Sequence, residues 1–272
     1  MLKIDSAATL FSSRFLNNNQ NQLQQAMERL SSAKRINRAS DDAAGLAIAA
    51  QLTTQLLGSQ QAYKNTNDAI SLAQTGDAAI TELSNISQRI GELAVQSANG
   101  IYSDADRESL QAEVSQLQQE AQNIVESAEF NGQKLLSGSE NIEIQAGNDA
   151  GNTISLNTAN LQAQLTTAGL FSVDVSTSND AQNALGAIEA SLDSIVKSRS
   201  EFGAFTNRLE SVSRQLLVEA ESTAAARSRI EDADYAVETA ERTRSLILQD
   251  AGLASIAQGN ISNGLVTRLL GA

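Results

Sequence analysis

The chain has 272 residues and a formal net charge of −13, and it contains no Cys, His, Pro or Trp. Without Cys and His there are no disulfides, thiolate metal sites, Ser-His-Asp triads or HExxH zinc motifs, so any enzyme would have to use carboxylates, Lys, Arg or hydroxyls alone. We expect neither an enzyme nor a cofactor. The acidic charge argues against general nucleic-acid binding, and no apolar run approaches the roughly 20 residues that span a bilayer, so membrane insertion is not expected.

The first 34 residues predict one helix with a narrow apolar stripe. Leu16, Leu23 and Leu30 fall seven residues apart, and the positions between them are mostly amides, Ser and Ala. Such a helix is weak alone and needs a partner helix to cover its stripe. The same segment lacks a continuous apolar core and a cleavage site, so no cleaved signal peptide is expected.

The stretch RINRASDDAAG at 35–45 poses a choice between chemistry and a helix start. Ser40, Asp41 and Asp42 could hold a metal or serve acid–base catalysis. Their neighbours are Ser, Ala and Gly, however, and adjacent helix residues point in different directions. A Ser N-cap followed by acidic residues in the first turn is typical of a helix N-terminus. We therefore predict that Ser40 caps a helix here.

A basic cluster surrounds this start, and an acidic arm ends the chain. Residues 1–40 carry six basic and two acidic side chains, whereas residues 231–272 carry three basic and six acidic ones. No aromatic residue interleaves with the cluster, which disfavours nucleic-acid binding. We expect its side chains to pair with the acidic C-terminal arm rather than with a membrane or nucleic acid. The cluster consists of Arg29, Lys34, Arg35 and Arg38.

Two helices with heptad-like spacing are predicted next. Apolar residues between Leu46 and Leu93 recur every three or four positions, and the helix is expected to stop near Asn99. Ser103, with Asp106 three residues later, predicts an N-cap with a capping box. Coiled-coil spacing follows at Leu110, Val114, Leu117, Ala121, Ile124 and Ala128.

Between residues 130 and 180 the pattern changes to short strands. Residues 142–144 and 154–156 alternate with period two around GNDAGN, which predicts a β-hairpin. Phe171, Val173 and Val175 alternate likewise and indicate a third strand.

Helical spacing returns at Asn179 and continues to the C-terminal arm. There, Ile247, Ala254 and Ile261 recur at seven residues, with Leu253 beside them. Neither terminal arm can bury its stripe alone, so we expect the two arms to pair. The predicted fold is mainly α: an elongated antiparallel helical bundle or coiled coil with a small β-hairpin region at mid-chain and paired N- and C-terminal helices.

Five stretches of the chain resemble bacterial flagellin, and they occur in family order. They are LSSAKRINRASDDAAGLAIA (30–49), QRIGELAVQSANG (88–100), EFNGQKLLSG (129–138), AARSRIEDADYA (225–236) and ILQDAGLASIAQGN (247–260). The resemblance continues at Val266, Leu269 and Leu270. The middle, at about 140–180, is too short for large outer variable domains, so the chain resembles a minimal flagellin.

The resemblance implies a subunit that self-assembles into the extracellular flagellar filament for swimming motility. Its implied partners are other copies of itself, an export chaperone on the C-terminal arm, the filament cap, hook–filament junction proteins and host innate immune receptors. Export is implied to run through the flagellar type III apparatus. The implied regions are the N-terminal half of an inner-core coiled coil at 1–40, outer-core helices with the β-hairpin at 41–180, an outer-core C-terminal helix at 181–231 and the C-terminal half of the inner core at 232–272.

The resemblance also gives roles to particular residues. Ser40, Asp41 and Asp42 match the spoke that joins inner to outer core, and Arg89, Leu93 and Glu113 match an innate-receptor surface. Two alternatives stay open: a hook–filament junction protein, and a non-polymerising secreted helical adhesin or adaptor. The expected assembly seams are Leu16, Leu23, Leu30, Ile247, Leu253, Ala254, Ile261, Val266, Leu269 and Leu270.

Overall fold

The computed structural model describes residues 4–138, 141–157 and 160–270, with side chains at 10–138, 141–157, 160–261 and 265. Within these ranges the chain is mainly α, as predicted, with two antiparallel two-stranded ribbons at mid-chain. The helices are α1 (Ile4–Ser32), α2 (Ala43–Ala98), α3 (Asp104–Ser127), α4 (Leu161–Ala168), α5 (Ser178–Glu231) and α6 (Tyr235–Leu270). The strands are β1 (Glu129–Phe130), β2 (Gln133–Lys134), β3 (Asn141–Gln145) and β4 (Thr153–Asn157).

The chain divides into two compact units. The terminal unit contains residues up to 56 and from 222 onward, and the central unit contains residues 57–221. The central unit has a hydrophobic core to which α2, α3, α4, α5 and the β3–β4 ribbon all contribute. Its fully buried large side chains include Ile80, Leu83, Ile90, Leu135, Leu161, Leu165, Leu170, Ile195 and Leu209.

The start of α3 is held by the predicted capping box. The Ser103 hydroxyl accepts a hydrogen bond from the Asp106 backbone N–H, and the Asp106 carboxylate accepts one from the Ser103 N–H at 3.0 Å. The Ser103 hydroxyl also donates to that carboxylate at 2.6 Å, and the two bonds together lower the pKa of Asp106. Two backbone N–H groups at the helix end therefore find hydrogen-bond partners within three residues. Because the interaction is this local, the sequence alone predicted the start of α3.

The β3–β4 ribbon is the hairpin that the alternating pattern predicted. Ile142 pairs with Leu156 and Ile144 with Ile154, and these residues turn one face of the ribbon toward the core. A second, shorter ribbon, β1–β2, was not predicted. Its Asn131-Gly132 turn places both residues at positive φ, the conformation that tight hairpin turns require.

The predicted third strand at 171–175 is wrong. Residues Leu170–Ser172 form a short 3-10 turn, and residues 173–175 pair with neither of the two described ribbons. Backbone N–H and carbonyl groups of residues 170–175 form hydrogen bonds with side chains instead. The amide of Gln118 donates to two of these carbonyls at 3.0 Å each, and the amide oxygen of Gln111 accepts from the N–H of Val175 at 2.7 Å. Alternating burial here reflects contact with α2 and α3 rather than strand pairing.

Gly76 on α2 allows the close approach of a buried aromatic ring of the central unit. A Cβ at this position would lie 2.3 Å from Cε1 of Phe202 on α5. We expect Gly76→Ala to lower the free energy of unfolding by about 1–3 kcal/mol, because the well-packed ring must shift. Urea unfolding followed by circular dichroism measures this change.

The matched control is Gly186→Ala on α5, where an added Cβ meets nothing within 4 Å. Because alanine is the better helix former, this variant should gain about 0.5–1 kcal/mol. Equal effects from the two substitutions would show that the Phe202 contact does not restrict position 76.

The capping box also predicts a pH dependence. The pKa of Asp106 is lower in the folded chain than in the unfolded chain, so its stabilisation is present above the unfolded pKa and is lost as pH falls through the folded value. Asp106→Asn should therefore lower the thermal midpoint at pH 7 but have little effect at a pH below the folded pKa. The control is Asp193→Asn, the same charge change on an exposed site of α5. A loss that is the same at both pH values would contradict this account.

Candidate functional site: the paired terminal helices

Helices α1 and α6 pack against each other, so the predicted pairing of the terminal arms is confirmed. The position of a Cβ on Gly252 lies 3.7 Å from Cδ1 of Leu16, and the amide of Asn19 donates to the carbonyl of Ser245 at 2.6 Å. Residue numbers rise along α1 as they fall along α6, so the pair is antiparallel. Asn19 and Ser245 are both buried.

The predicted stripe on α1 contributes to this contact. Leu23 is buried, and Leu16 and Leu30 are half-buried. The contact face of α1 also contains Ala26, which is 2% exposed, and the amide of Asn19. The face is therefore narrow and partly polar, as the amide-rich sequence of the arm indicated.

Two ion pairs join the basic cluster to the C-terminal acids. Arg29 donates to the carboxylate of Glu238 at 3.1 Å, and the Glu238 side chain is only 9% exposed. Lys34 pairs with Glu231, whose side chain is 12% exposed. The predicted pairing with the acidic arm therefore holds for these two cations. Because the two carboxylates are largely buried, losing a cation would leave a poorly solvated charge, which is costly.

The other two cations of the cluster behave differently from the prediction. The guanidinium of Arg35 donates to the backbone carbonyl of Ile230 at 2.7 Å, and Arg38 pairs with Glu28 of α1 at 2.9 Å. Arg35 thus binds the C-terminal end of α5, where carbonyls lack helical partners and a cation is favourable. Arg38 forms no ion pair with the described residues of the C-terminal arm.

The connector between α1 and α2 is hydrogen-bonded to the connector between α5 and α6. The N–H of Arg35 donates to the carbonyl of Glu231 at 2.7 Å, and the N–H of Ala233 donates to the carbonyl of Ala33 at 3.0 Å. These bonds form an isolated antiparallel bridge. The bridge fixes the two chain segments at the point where the terminal pair begins.

The helix start at 40–42 differs from the prediction by two residues. Helix α2 begins at Ala43, and the carboxylate of Asp42, not the hydroxyl of Ser40, accepts from the backbone N–H of Gly45 at 2.8 Å. The Asp42 carbonyl accepts the first helical bond, from Leu46. Asp42 is therefore the N-cap, because a cap must bond an N–H two or three residues ahead.

Asp41 stabilises the turn that precedes the cap. Its carboxylate accepts from the N–H groups of Asn37 and Arg38 at 3.1 and 3.0 Å, and these bonds lower the pKa of Asp41. The paired aspartates thus bind backbone on both sides of the helix start. In the part of the chain that the structure describes, no three acidic side chains are grouped as a metal site would require.

The C-terminal stripe does not face α1, which corrects the expectation that the two arms bury their stripes in each other. Ile247 and Ile261 are 63% and 58% exposed, Leu253 is 49% exposed, and Ala254 is also exposed. At 3.6 residues per turn, Ile247, Ala254 and Ile261 lie about half a turn from Ser245, and Leu253 lies on the flank. We call Ile247, Leu253, Ala254 and Ile261 the outer apolar face.

The contacts of α6 with α1 include Glu238, Ser245 and Gly252, where the guanidinium of Arg29 and the amide of Asn19 meet acceptors of α6. The side chains of Val266, Leu269 and Leu270, which were also expected in the seam, lie outside the described side chains. Helix α1 exposes large apolar residues of its own, at Leu10, Phe11 and Phe15.

The predicted receptor residues are only partly at the surface. Arg89 and Glu113 are exposed and pair at 2.8 Å, and Arg89 also pairs with Glu92 at 2.9 Å. Hydrogen bonds to Glu113 first and Glu92 second raise the pKa of Arg89. Leu93, in contrast, is 1% exposed and belongs to the central core, because it lies on the inward row of α2 with Ile90. Its side chain is therefore not at the surface of the subunit.

Comparison with known proteins identifies the family. A model of the bacterial flagellin N-terminal helical region matches residues 6–141, and a model of the bacterial flagellin C-terminal helical region matches residues 185–270. The described helices include none with an apolar stretch that could cross a membrane.

Relatives match along nearly the whole chain. The chain is 41% identical over 253 residues to a flagellin of Halalkalibacterium halodurans, covering 93% of each protein. It is 38% identical over 262 residues to a flagellar filament core protein of Brachyspira hyodysenteriae, covering 91% of this chain and 92% of the relative. The crystal structure of Bacillus cereus flagellin aligns with a TM-score of 0.52 and 31% identity, over 60% of this chain and 94% of that one. The chain therefore belongs to the bacterial flagellin family and is a structural subunit of the flagellar filament.

Proposed function

We propose that this chain builds the filament by packing the outer apolar face of α6 against neighbouring copies. The observation that carries the proposal is the exposure of Ile247, Leu253 and Ile261, which are 49–63% accessible on a helix whose other side already contacts α1. Burying each of these side chains in a contact with a second copy would stabilise the polymer by about 1.5–3 kcal/mol at most. The role is structural throughout and involves no catalysis.

The two terminal helices form the inner part of this assembly in our proposal. Residues 1–40 and 232–272 correspond to the inner-core coiled coil, and residues 41–180 and 181–231 correspond to the outer core. The bounds of α1 and α6 support the first assignment. Leu16, Leu23 and Leu30 then serve the seam within the subunit, while the outer apolar face serves the seam between subunits. Val266, Leu269 and Leu270 extend the second seam, and Ser40, Asp41 and Asp42 belong to the spoke that joins the two cores.

The outer apolar face also gives a reason for the export chaperone that the family resemblance implies. An apolar helix face exposed in a soluble subunit promotes premature association, and an export chaperone on the C-terminal arm would cover it. The subunit is then exported through the flagellar type III apparatus, and it is added beneath the filament cap and beyond the hook–filament junction proteins. The named relatives are flagellins and filament core proteins, so the junction-protein and adhesin alternatives are not favoured.

For host innate immune receptors, the proposal is restricted to the exposed pair Arg89 and Glu113. Both side chains are about half exposed, and a planar guanidinium beside carboxylates offers directional hydrogen bonds to a partner. Leu93 has no part in this surface.

Replacing one side chain of the outer apolar face with a charge tests the assembly proposal. Ile261→Asp should prevent seeded polymerisation, because an unpaired carboxylate in a dry contact costs several kcal/mol. The critical concentration is measured by sedimentation, and filaments are examined by electron microscopy. The site is exposed in the subunit, so circular dichroism should show an unchanged fold.

The matched control is Ile261→Leu, which keeps the apolar volume and should polymerise at nearly the normal concentration. Normal filaments from Ile261→Asp would contradict the proposed contact. A chain that forms no filaments in any variant, seeded or unseeded, would instead support a non-polymerising adhesin or adaptor.

The receptor proposal has its own test. Arg89→Ala should reduce activation of a flagellin-responsive receptor reporter by about tenfold, the factor that corresponds to 1.4 kcal/mol of lost affinity. The control is Arg199→Ala, which removes another exposed arginine, paired with Asp77 at 3.2 Å. Exposed ion pairs contribute only about 0–1 kcal/mol to stability, so both variants should fold normally. Equal activation by the two variants would remove Arg89 from the receptor surface.

A further inference from the structure

Helix α6 buries Glu238 and Ser245 against α1 beside the half-buried Ile256, and it leaves large apolar side chains exposed on its other side. The side that contacts α1 contains Glu238 and Ser245, which are 7% and 1% exposed. The outer apolar face remains accessible, and three of its residues lie about half a turn away, at Ile247, Ala254 and Ile261. Burial of apolar area alone would favour the opposite arrangement, in which Ile247 and Ile261 cover the leucine stripe of α1. Some other interaction must therefore select the side that α6 presents.

The first candidate for this interaction is the buried amide of Asn19. Its Nδ2 donates to the carbonyl of Ser245 at 2.6 Å. Asn19 Oδ1 and Ser245 Oγ are buried without a hydrogen-bond partner among the described residues. The contact is thus only partly satisfied, and it costs stability relative to an apolar contact of the same size. A single buried polar contact of this kind specifies orientation and register in coiled coils.

The second candidate is the ion pair between Arg29 and Glu238. Their N–O distance is 3.1 Å, and the carboxylate is nearly inaccessible. Turning α6 by half a turn would move Glu238 away and leave the guanidinium against Ala and Thr side chains. Removing one partner of a buried pair is strongly unfavourable, so the pair opposes the rotated arrangement even where it adds little net stability.

We propose that Asn19 and Arg29 are specificity-determining residues that select the rotational setting of α6. They hold the outer apolar face away from α1, so that the face is free to bind a second copy of the chain. This inference rests on the proposed assembly role of that face. The two residues thus trade stability of the subunit for availability of its assembly surface.

Cysteine pairs can report the rotation directly, because the chain has no native Cys. Leu16→Cys with Gly252→Cys reports the contact seen here, in which Leu16 lies 3.7 Å from a Cβ at 252. Leu16→Cys with Ala254→Cys reports the setting rotated by about half a turn. Each pair is placed in the full soluble chain, and formation of the intramolecular disulfide is followed by gel mobility and mass spectrometry.

In the otherwise unchanged chain, the 16–252 pair should oxidise and the 16–254 pair should not. In an Asn19→Leu/Arg29→Leu background the preference should reverse, with oxidation of the 16–254 pair rising by about tenfold or more. Polymerisation of that background without reporter cysteines should fall. The matched control is Asn18→Leu/Arg14→Leu, which makes the same changes at exposed positions of α1 and should keep the original disulfide pattern.

Retention of the 16–252 pattern in the Asn19→Leu/Arg29→Leu background would overturn the proposal. So would loss of both disulfides, because the polar contacts would then hold the helices together without selecting a side. Failure of the proposed assembly role would look different. In that case Ile261→Asp would polymerise normally, while the disulfide pattern of the soluble chain would still report the rotational setting of α6.

Discussion

The pairing of α1 with α6 is the contact on which the terminal unit depends. The stripe of α1 is narrow and interrupted by the amide of Asn19, so the helix cannot be stable without a partner. Helix α6 covers the stripe, the pair Arg29–Glu238 fixes its position, and the bridge between Arg35 and Glu231 closes the end where both connectors meet. Because one side of α6 is used in this way, the outer apolar face stays exposed in the subunit, and we propose that it binds other copies. In that proposal one helix face holds the subunit together, and another stays uncovered until assembly.

The features that were predictable are those whose interactions are local in sequence. Ser103 and Asp106 bond each other across three residues, and the GNDAGN turn joins two strands that pair directly. The central core follows from the same logic, since apolar residues spaced every three or four positions on α2 and α5 must be buried somewhere. Pairing of the two arms was predictable from the narrow stripe of α1, which needs a partner helix, although the stripe of α6 does not face it.

The features that were missed depend on interactions between distant residues. Alternation at 171–175 indicates a strand only if backbone groups pair with backbone, whereas here Gln111 and Gln118 satisfy them from α3. A stripe of apolar residues on α6 predicts burial but says nothing of the polar partners on α1 that contact the opposite side. At 40–42 three consecutive residues can each cap a helix, and only the folded backbone shows that Asp42 does so. Leu93 was placed by family resemblance, which does not report burial.

The most direct test of the account is hydroxyl-radical footprinting of the soluble chain and of the assembled filament. Oxidation of Ile247, Leu253 and Ile261 should be rapid in the soluble chain and should fall strongly in the filament, because assembly covers the outer apolar face. Leu23 and Ile36, already buried in the subunit, should be protected in both states. Equal oxidation of the three α6 residues before and after assembly would contradict the account, because it would show that the filament forms without burying that face.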